Sequence, residues 1–245
     1  VTDAPTARAT FGLVVIGDEV LSAKVVEANA AFLLQALREI GASIREVVFV
    51  PDEVEAIAEA VRRQAPRCDV VITTGGIGPT HDDVSVAAVA AAFGVDVVEH
   101  PAILKALESL GALSEGRRRL ARVPAGAELI WGEGVPWPVA KLENIWMFPG
   151  VPSFVRGLFN GLRDKFPASP RRTHRALELV VEESMICVAL DELVSQHHGV
   201  AIGSYPRLVT GVWQLRLTFD GPDAEAVDAA LLAALETFGS WISGS

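Results

Sequence analysis

Apolar residues along the chain fall into two alternating patterns: short β-branched runs, and longer stretches in which they recur every three or four positions. Phe11 to Ile16 is such a run; it ends at Gly17 and reads as a buried strand. Phe32, Leu33, Ala36, Leu37 and Ile40 then keep helical spacing, and Gly41 supplies a stop. Ile44 to Val50 is the next strand, closed by Pro51-Asp52, and Val54, Ile57, Ala58 and Val61 mark a helical stripe over Glu53 to Gln64. Asp69 to Thr73 predicts a third strand that runs straight into Gly75-Gly76-Ile77-Gly78-Pro79. A helix from about Asp82 to Phe93, a strand over Val95 to Val98 and a helix over Pro101 to Leu110 complete this stretch. Such alternation predicts an α/β fold, with a largely parallel sheet and helices on both faces. Ligands of these sheets sit beyond the carboxyl ends of the strands, so Asp52 and the Gly loop should share one edge.

The pattern weakens from Gly111 to Pro138, then returns as a hairpin of Val139 to Leu142 and Ile145 to Phe148. Pro149-Gly150-Val151-Pro152 leads into a helix ending near Lys165, and Phe166 to Arg172 reads as a linker. Beyond it, strands are expected at Ala176 to Glu183, Val200 to Ser204 and Gly211 to Phe219, with helices through Ile186, Leu190 and Val194 and over Asp223 to Phe238. Ser184 is placed to cap the first of these helices. The predicted organisation is a disordered N-terminus over 1–10, an α/β domain over 11–168 and a small α+β subdomain over 169–245.

Composition narrows the partners. The formal charge of −10 argues against nucleic acid, whose binders carry a basic face. The runs Arg117-Arg118-Arg119 and Arg171-Arg172 are short and read as solvated loops. An anionic small molecule remains open, and the acidic balance suggests that it brings a divalent cation. Cys68 and Cys187 stand alone and far apart, against a disulfide framework or a thiolate zinc site. Val1 to Thr10 lacks the apolar core of a signal peptide, and no apolar stretch reaches the roughly 18 to 20 residues of a membrane span. A cytoplasmic protein with no membrane partner is the expectation.

The segment Thr73 to Asp83, Thr-Thr-Gly-Gly-Ile-Gly-Pro-Thr-His-Asp-Asp, carries the chemistry. Its glycines let the backbone approach a ligand, its amides can form an anion nest, and the helix after it adds orphan N–H donors. Strand, glycines, helix N-terminus: that order suits a phosphate. Thr80 and Asp83 also fit a capping box, the structural account of Asp83. With Asp82 adjacent the balance shifts, because a carboxylate about 4 Å from a phosphate oxygen costs roughly 4 kcal/mol at an effective dielectric of about 20. Two such carboxylates call for a cation, and Mg²⁺ is typically held by one or two carboxylates together with substrate phosphates. Asp82 and Asp83 are therefore the candidate metal ligands. The chain has no P-loop, no Gly-x-Gly-x-x-Gly in this loop and no nucleophile elbow, which argues against those three phosphate or hydrolase chemistries.

Gly17-Asp18-Glu19, Asn29, Pro51-Asp52, Thr73 to Asp83 and Pro149-Gly150-Val151-Pro152, taken in this order, resemble the molybdopterin-binding family that includes MogA and MoeA. Within it the likeness is to the N-terminal domain of the competence/damage-inducible protein CinA and the corresponding domain of FAD synthase. It spans about Phe11 to Lys165, and Gly203-Ser204-Tyr205-Pro206 resembles the small subdomain that follows in FAD-synthase-like members. The resemblance implies a three-layer α/β/α fold with a pocket at the sheet edge. It also implies that Asp52 and Asp83 are catalytic acids, and Asp82 joins them as the neighbouring carboxylate of the loop. Ligand contacts are then expected from Gly17, Asp18, Glu19, Asn29, Thr74, Gly75, Gly76, Gly78, Pro79, Thr80, Pro149, Gly150 and Pro152. The implied activity is metal-dependent hydrolysis of ADP-ribose or FAD-type pyrophosphates. The alternatives are binding or adenylylation of molybdopterin in molybdenum cofactor assembly, and a non-catalytic nucleotide clamp.

Plainer roles stand beside these. Asp52 could cap the helix after it, Asn29 could cap its own, and Asp18-Glu19 could be a solvated turn. His81 is a candidate proton carrier, while His197-His198 end a helix, where an imidazolium favours the dipole. The tryptophans, mostly between Trp131 and Trp146 and in the tail, are expected to serve packing or an interface, and the protein to form a homo-oligomer.

Overall fold

Thr10–Ile16 is strand β1, buried at every residue but the first, as a run apolar on both sides demands. The computed structural model describes residues 8–167 and 172–242, in two compact units, Val1–Ser169 and Pro170–Ser245. In the first unit, β1 is followed by α1 (Asp18–Leu21), α2 (Asn29–Glu39), β2 (Ser43–Val50), α3 (Val54–Gln64) and β3 (Val70–Thr74). Next come α4 (Ser85–Phe93), β4 (Val97–Glu99), α5 (Pro101–Ser109), α6 (Glu115–Arg119), β5 (Arg122–Pro124) and β6 (Glu128–Ile130). β7 (Val139–Leu142), β8 (Ile145–Phe148) and α7 (Pro152–Leu162) finish it.

The main sheet has the order β2-β1-β3-β8-β7-β6. β2, β1, β3 and β8 are parallel, and β7 and β6 close the edge antiparallel. One face buries Leu33, Leu37, Val155, Leu158 and Phe159 of α2 and α7, and the other Ile57, Val61, Ala88 and Val89 of α3 and α4. This is the expected three-layer arrangement. Asp69 pins the start of β3 to β1: its carboxylate accepts from the Thr10 amide and hydroxyl, both at 2.7 Å, and those bonds hold its pKa below the usual carboxylate value.

Some boundaries differ from the sequence expectation. The folded unit begins before Phe11, because the Arg8 guanidinium donates to the carbonyls of Gly41 and Ala42 at 3.0 and 2.7 Å. The disorder expected over 1–10 otherwise concerns residues 1–7, outside the described residues, as are 168–171 of the expected linker. Phe166, the first residue of that linker, belongs to the core, stacked on Phe159 at 5.2 Å and tilted against Trp146 at 4.7 Å.

The second unit contains β9 (Thr173–Leu179), α8 (Cys187–Gln196), β10 (Ala201–Val209), β11 (Val212–Gly221) and α9 (Ala224–Phe238). Its antiparallel sheet, β10-β11-β9, covers one face with Val227, Ala230, Ala234 and Phe238 of α9. β10 runs five residues past the expected Ser204 because Pro206 lies on an edge strand, where its missing N–H costs no ladder bond. Ser184 does not cap α8; its hydroxyl donates to Glu182 at 2.8 Å, and the helix starts at Cys187. Cys68 and Cys187 are both free thiols. Among the described residues no helix is long and apolar enough to cross a membrane.

Candidate functional site

Four parallel strands bring Gly17, Asp52, Gly75 and Pro149 to one edge of the sheet, and short bonds hold their ends together. The Gly17 amide donates to Val50 O at 3.2 Å, the Asp18 amide to the Asp52 carboxylate at 2.9 Å, and the Gly75 amide to Phe148 O at 3.3 Å. Thr74, buried at the end of β3, donates its hydroxyl to Pro149 O at 2.9 Å. Asn29 is also buried, and its amide donates to Thr74 Oγ1 at 3.1 Å and to Gly150 O at 2.7 Å. It does not cap α2. The Glu27 carboxylate takes that part by accepting from Ala30 N at 2.7 Å, and Asn29 Oδ1 is left buried without a partner.

The Gly loop leaves β3 through Gly75 at φ +103°, where a Cβ would lie 2.1 Å from Ile16 O. Gly76 follows at φ +61°, against Ser85. Ser85 is the residue that shapes the loop: its hydroxyl donates to Gly75 O at 2.7 Å and its amide to Gly76 O at 3.0 Å. Helix α4 accordingly begins at Ser85 rather than near Asp82, and Thr80 to Asp83 lies in the turn ahead of it. The Asp83 carboxylate accepts from the Thr80 amide at 2.7 Å and from its hydroxyl, and sits over Gly78. That pairing is the capping-box bond without the helix. Gly75 N–H and Thr80 N–H are thus taken. Among the described residues the amides of Gly76, Ile77 and Gly78 have no partner, which leaves three successive donors for an anion.

Acids crowd the same edge. Burial pushes the Asp52 carboxyl above its ordinary pKa; the Asp18 amide bond opposes this, and the charges of Glu19, Asp18 and Asp82 add to it. Asp52 does not cap α3. Asp82 is exposed and its pKa is shifted the other way, below the ordinary carboxylate value. Among the described residues no group of three or more His, Cys, Asp or Glu stands close enough to hold a metal ion. The donors present are carboxylates on separate strand ends. They suit a hard cation that keeps waters and takes its remaining ligands from a phosphate, and not a closed protein cage. His81, 95% exposed on its side chain and 4.0 Å from Asp82, lies in solvent. Pro152 opens α7, and His197 and His198 belong to the second unit.

One functional neighbour escaped the sequence reading. Arg117 to Arg119 form the end of helix α6, not a solvated loop, and Arg119 donates to Pro79 O at 3.3 Å while its Nε stands 3.7 Å from Glu115. The basic run was the available signal; its placement beside the loop, forty positions away, was not.

Residues 12–169 match the family described as probable molybdopterin binding domain, and residues 171–243 match FAD synthase, middle domain. A protein of Archaeoglobus fulgidus is 30% identical over 221 residues, 90% of this chain and 94% of its own. The probable FAD synthase of Caenorhabditis elegans is 30% identical over 258 residues, 94% of this chain and 50% of its own, so the chain spans about half the length of that relative. Among solved structures, the protein CinA from Thermoplasma acidophilum superposes with a TM-score of 0.59 at 26% identity, over 64% of this chain and 98% of that one.

Proposed function

The chain belongs to the probable molybdopterin binding domain family and continues into an FAD synthase middle domain, and from this premise we propose that it hydrolyses nucleotide pyrophosphates of the ADP-ribose or FAD type with a divalent cation. The observation that carries the reading is a run of three unpartnered amides, Gly76 to Gly78, in the loop that leaves β3, together with a group of acids, Asp18, Glu19 and Asp82, whose charges act on Asp52. The amides hold one phosphate. Asp52, whose pKa burial raises, takes the proton of the attacking water. Oxygen adds to one phosphorus, the bridging P–O bond breaks, and two phosphate monoesters are released. Asp82 or Asp83 would hold the cation, which would supply charge stabilisation to the phosphate oxygens and a lower pKa for the water. Asn29, Thr74 and Gly150 set the spacing of the strand ends.

The test is release of AMP from ADP-ribose or FAD by purified protein with Mg²⁺ or Mn²⁺, against a metal-free control and Asp52→Asn. No metal-dependent turnover would sink the reading. The family description favours a second reading, binding of a pterin phosphate with adenylyl transfer, which consumption of Mg-ATP in the presence of molybdopterin would support. If the site is instead a nucleotide clamp, ligands bind and nothing turns over.

A further inference from the structure

Strand β10 carries Gly203-Ser204-Tyr205-Pro206, a motif that the proposed chemistry does not use. It is the outer strand of its sheet, and its register with β11 is unbroken from Ala201 to Val209. The opposite edge is partly closed, because the Val180 amide donates to Trp241 O at 2.7 Å and Leu179 bridges Ile242. Among the described residues no strand pairs with the outer side of β10. Thr210 and Gly211, at φ +49° and +82°, make the two-residue turn to β11, so Val209 and Val212 close the hairpin as a hydrogen-bonded pair. Alternation from that pair ties the odd-numbered residues of β10 to β11 and turns the backbone groups of Ile202, Ser204, Pro206 and Leu208 outward. Pro206 has no N–H to present, and the others present both donor and acceptor.

Native sheets guard such edges with short strands, bulges, proline or charge. β10 has nine residues, no bulge and one proline. Its single charge, Arg207, is turned inward to the Glu178 carboxylate of β9 at 3.2 Å. β9 pairs with β11 only over 215–221, so the far end of the hairpin is two-stranded. There Leu208, Val209, Val212 and Trp213 are between 40% and 59% exposed, and they make the ribbon apolar on both faces. A two-stranded ribbon is marginal in water by itself, and so apolar an end calls for a cover.

We infer that β10 is the seat of a second copy of this chain, the two strands pairing antiparallel about Tyr205 so that one sheet runs through both subunits. Self-complementarity selects the occupant. About Tyr205 every outward position finds another: Ile202 lies opposite Leu208 of the partner subunit, and Ser204 donates to Pro206 of the partner subunit, whose missing N–H is the sole gap. Centring the pair on Ser204 or Pro206 instead carries Leu208 or Ile202 past the end of the opposite strand. On the other face Ala201 covers Val209, and Arg207 comes opposite Gly203 of the partner subunit. A Cβ at Gly203 would lie 2.9 Å from the Tyr205 ring, so that ring covers the glycine and the arriving guanidinium meets an aromatic surface. The two Arg207 side chains start about 13 Å apart along the strands, so like charges do not oppose each other. Such an interface is at the low end of specific ones, about 1,200 Å² in all, and the dimer is reversible. It rests on none of the chemistry proposed for the Gly loop.

The experiment is sedimentation of the full chain over a range of micromolar concentrations, as wild type, Leu208→Lys, Tyr205→Lys and Leu232→Lys. Leu208 and Tyr205 are exposed, so lysine there sets charge on the edge at little risk to folding, and Leu232, 60% exposed on α9, is the control away from it. Wild type should pass from monomer to dimer. Both edge variants should weaken the dimer at least tenfold, and Leu232→Lys should leave it within twofold. Register is read by crosslinking under oxidised glutathione in a Cys187→Ser background, which removes the exposed native thiol. Tyr205→Cys should join the subunits, because opposite residues stand about 4.5–5.5 Å apart at Cβ, and Val209→Cys, about 26 Å from its copy, should not. A wild-type chain that stays monomeric throughout overturns the proposal. So does a dimer that both edge variants leave intact, a loss just as large in Leu232→Lys, or crosslinking at 209 in place of 205.

Discussion

Asn29 and Gly150, 121 positions apart, are joined by a 2.7 Å hydrogen bond from the buried Asn29 amide to the Gly150 carbonyl. The same amide holds Thr74, so one side chain ties the start of α2 to the ends of β3 and β8. Asn29→Ala should lower stability by about 1–3 kcal/mol in urea denaturation. Asn29→Asp should cost more, because a buried carboxylate cannot donate to Gly150 O. Equal stability of wild type and Asn29→Asp would show that the tie carries no weight.

The two glycines of α7 should respond oppositely to alanine. Gly157→Ala should stabilise by about 0.5–1 kcal/mol, since the new methyl meets nothing and the helix gains propensity. Gly161→Ala should destabilise by about 1–3 kcal/mol through its clash with Glu133 and Val135. Denaturant midpoints at constant slope check both.

Asp52 gives a pH signature. A carboxyl whose folded pKa is raised favours folding in its protonated form; that contribution is whole below the unfolded value of 3.8 and is lost as pH rises through the folded value. Asp52→Asn keeps an acceptor for the Asp18 amide and never ionises. Its melting temperature should therefore match wild type in acid and exceed it by up to about 2 °C at neutral pH. Added Mg²⁺ should narrow the neutral gap. A gap that does not change between acidic and neutral pH contradicts this account of Asp52.

Arg119 should separate binding from stability. Arg119→Gln removes the guanidinium from Pro79 O and positive charge from beside the loop. Stability should change by less than about 0.5 kcal/mol, as for exposed groups in general. Affinity for ADP-ribose should fall, with a shallower dependence on salt. Titrations at two ionic strengths measure it.

The strands of the sheet were legible because β-branched runs bounded by glycine or proline have few alternatives, and β7 and β8 fall on the expected residues. The Gly loop was legible for the same reason. Its details were not. Thr80-x-x-Asp83 has the spacing of a helix cap, yet its bond closes a turn, and the helix waits for Ser85, which looks like one more small residue in an alanine-rich stretch. Helix α6 and strands β5 and β6, three to five residues each, are too short for any period to register. Asn29 and Arg119 act across 45 to 121 and 40 positions, and no local pattern records such partners.

At Gly75 the backbone of β3 passes so near Ile16 O that no side chain fits between them. Change in this loop is therefore confined to its second half. A lineage adapting the protein to a new ligand can alter Ile77 or the residues from Pro79 to Asp83, whereas the hinge at 75 is closed to substitution by the neighbouring strand, whatever the ligand. Libraries diversified at 77 and over 79–83 should yield folded proteins, and those that include 75 should not.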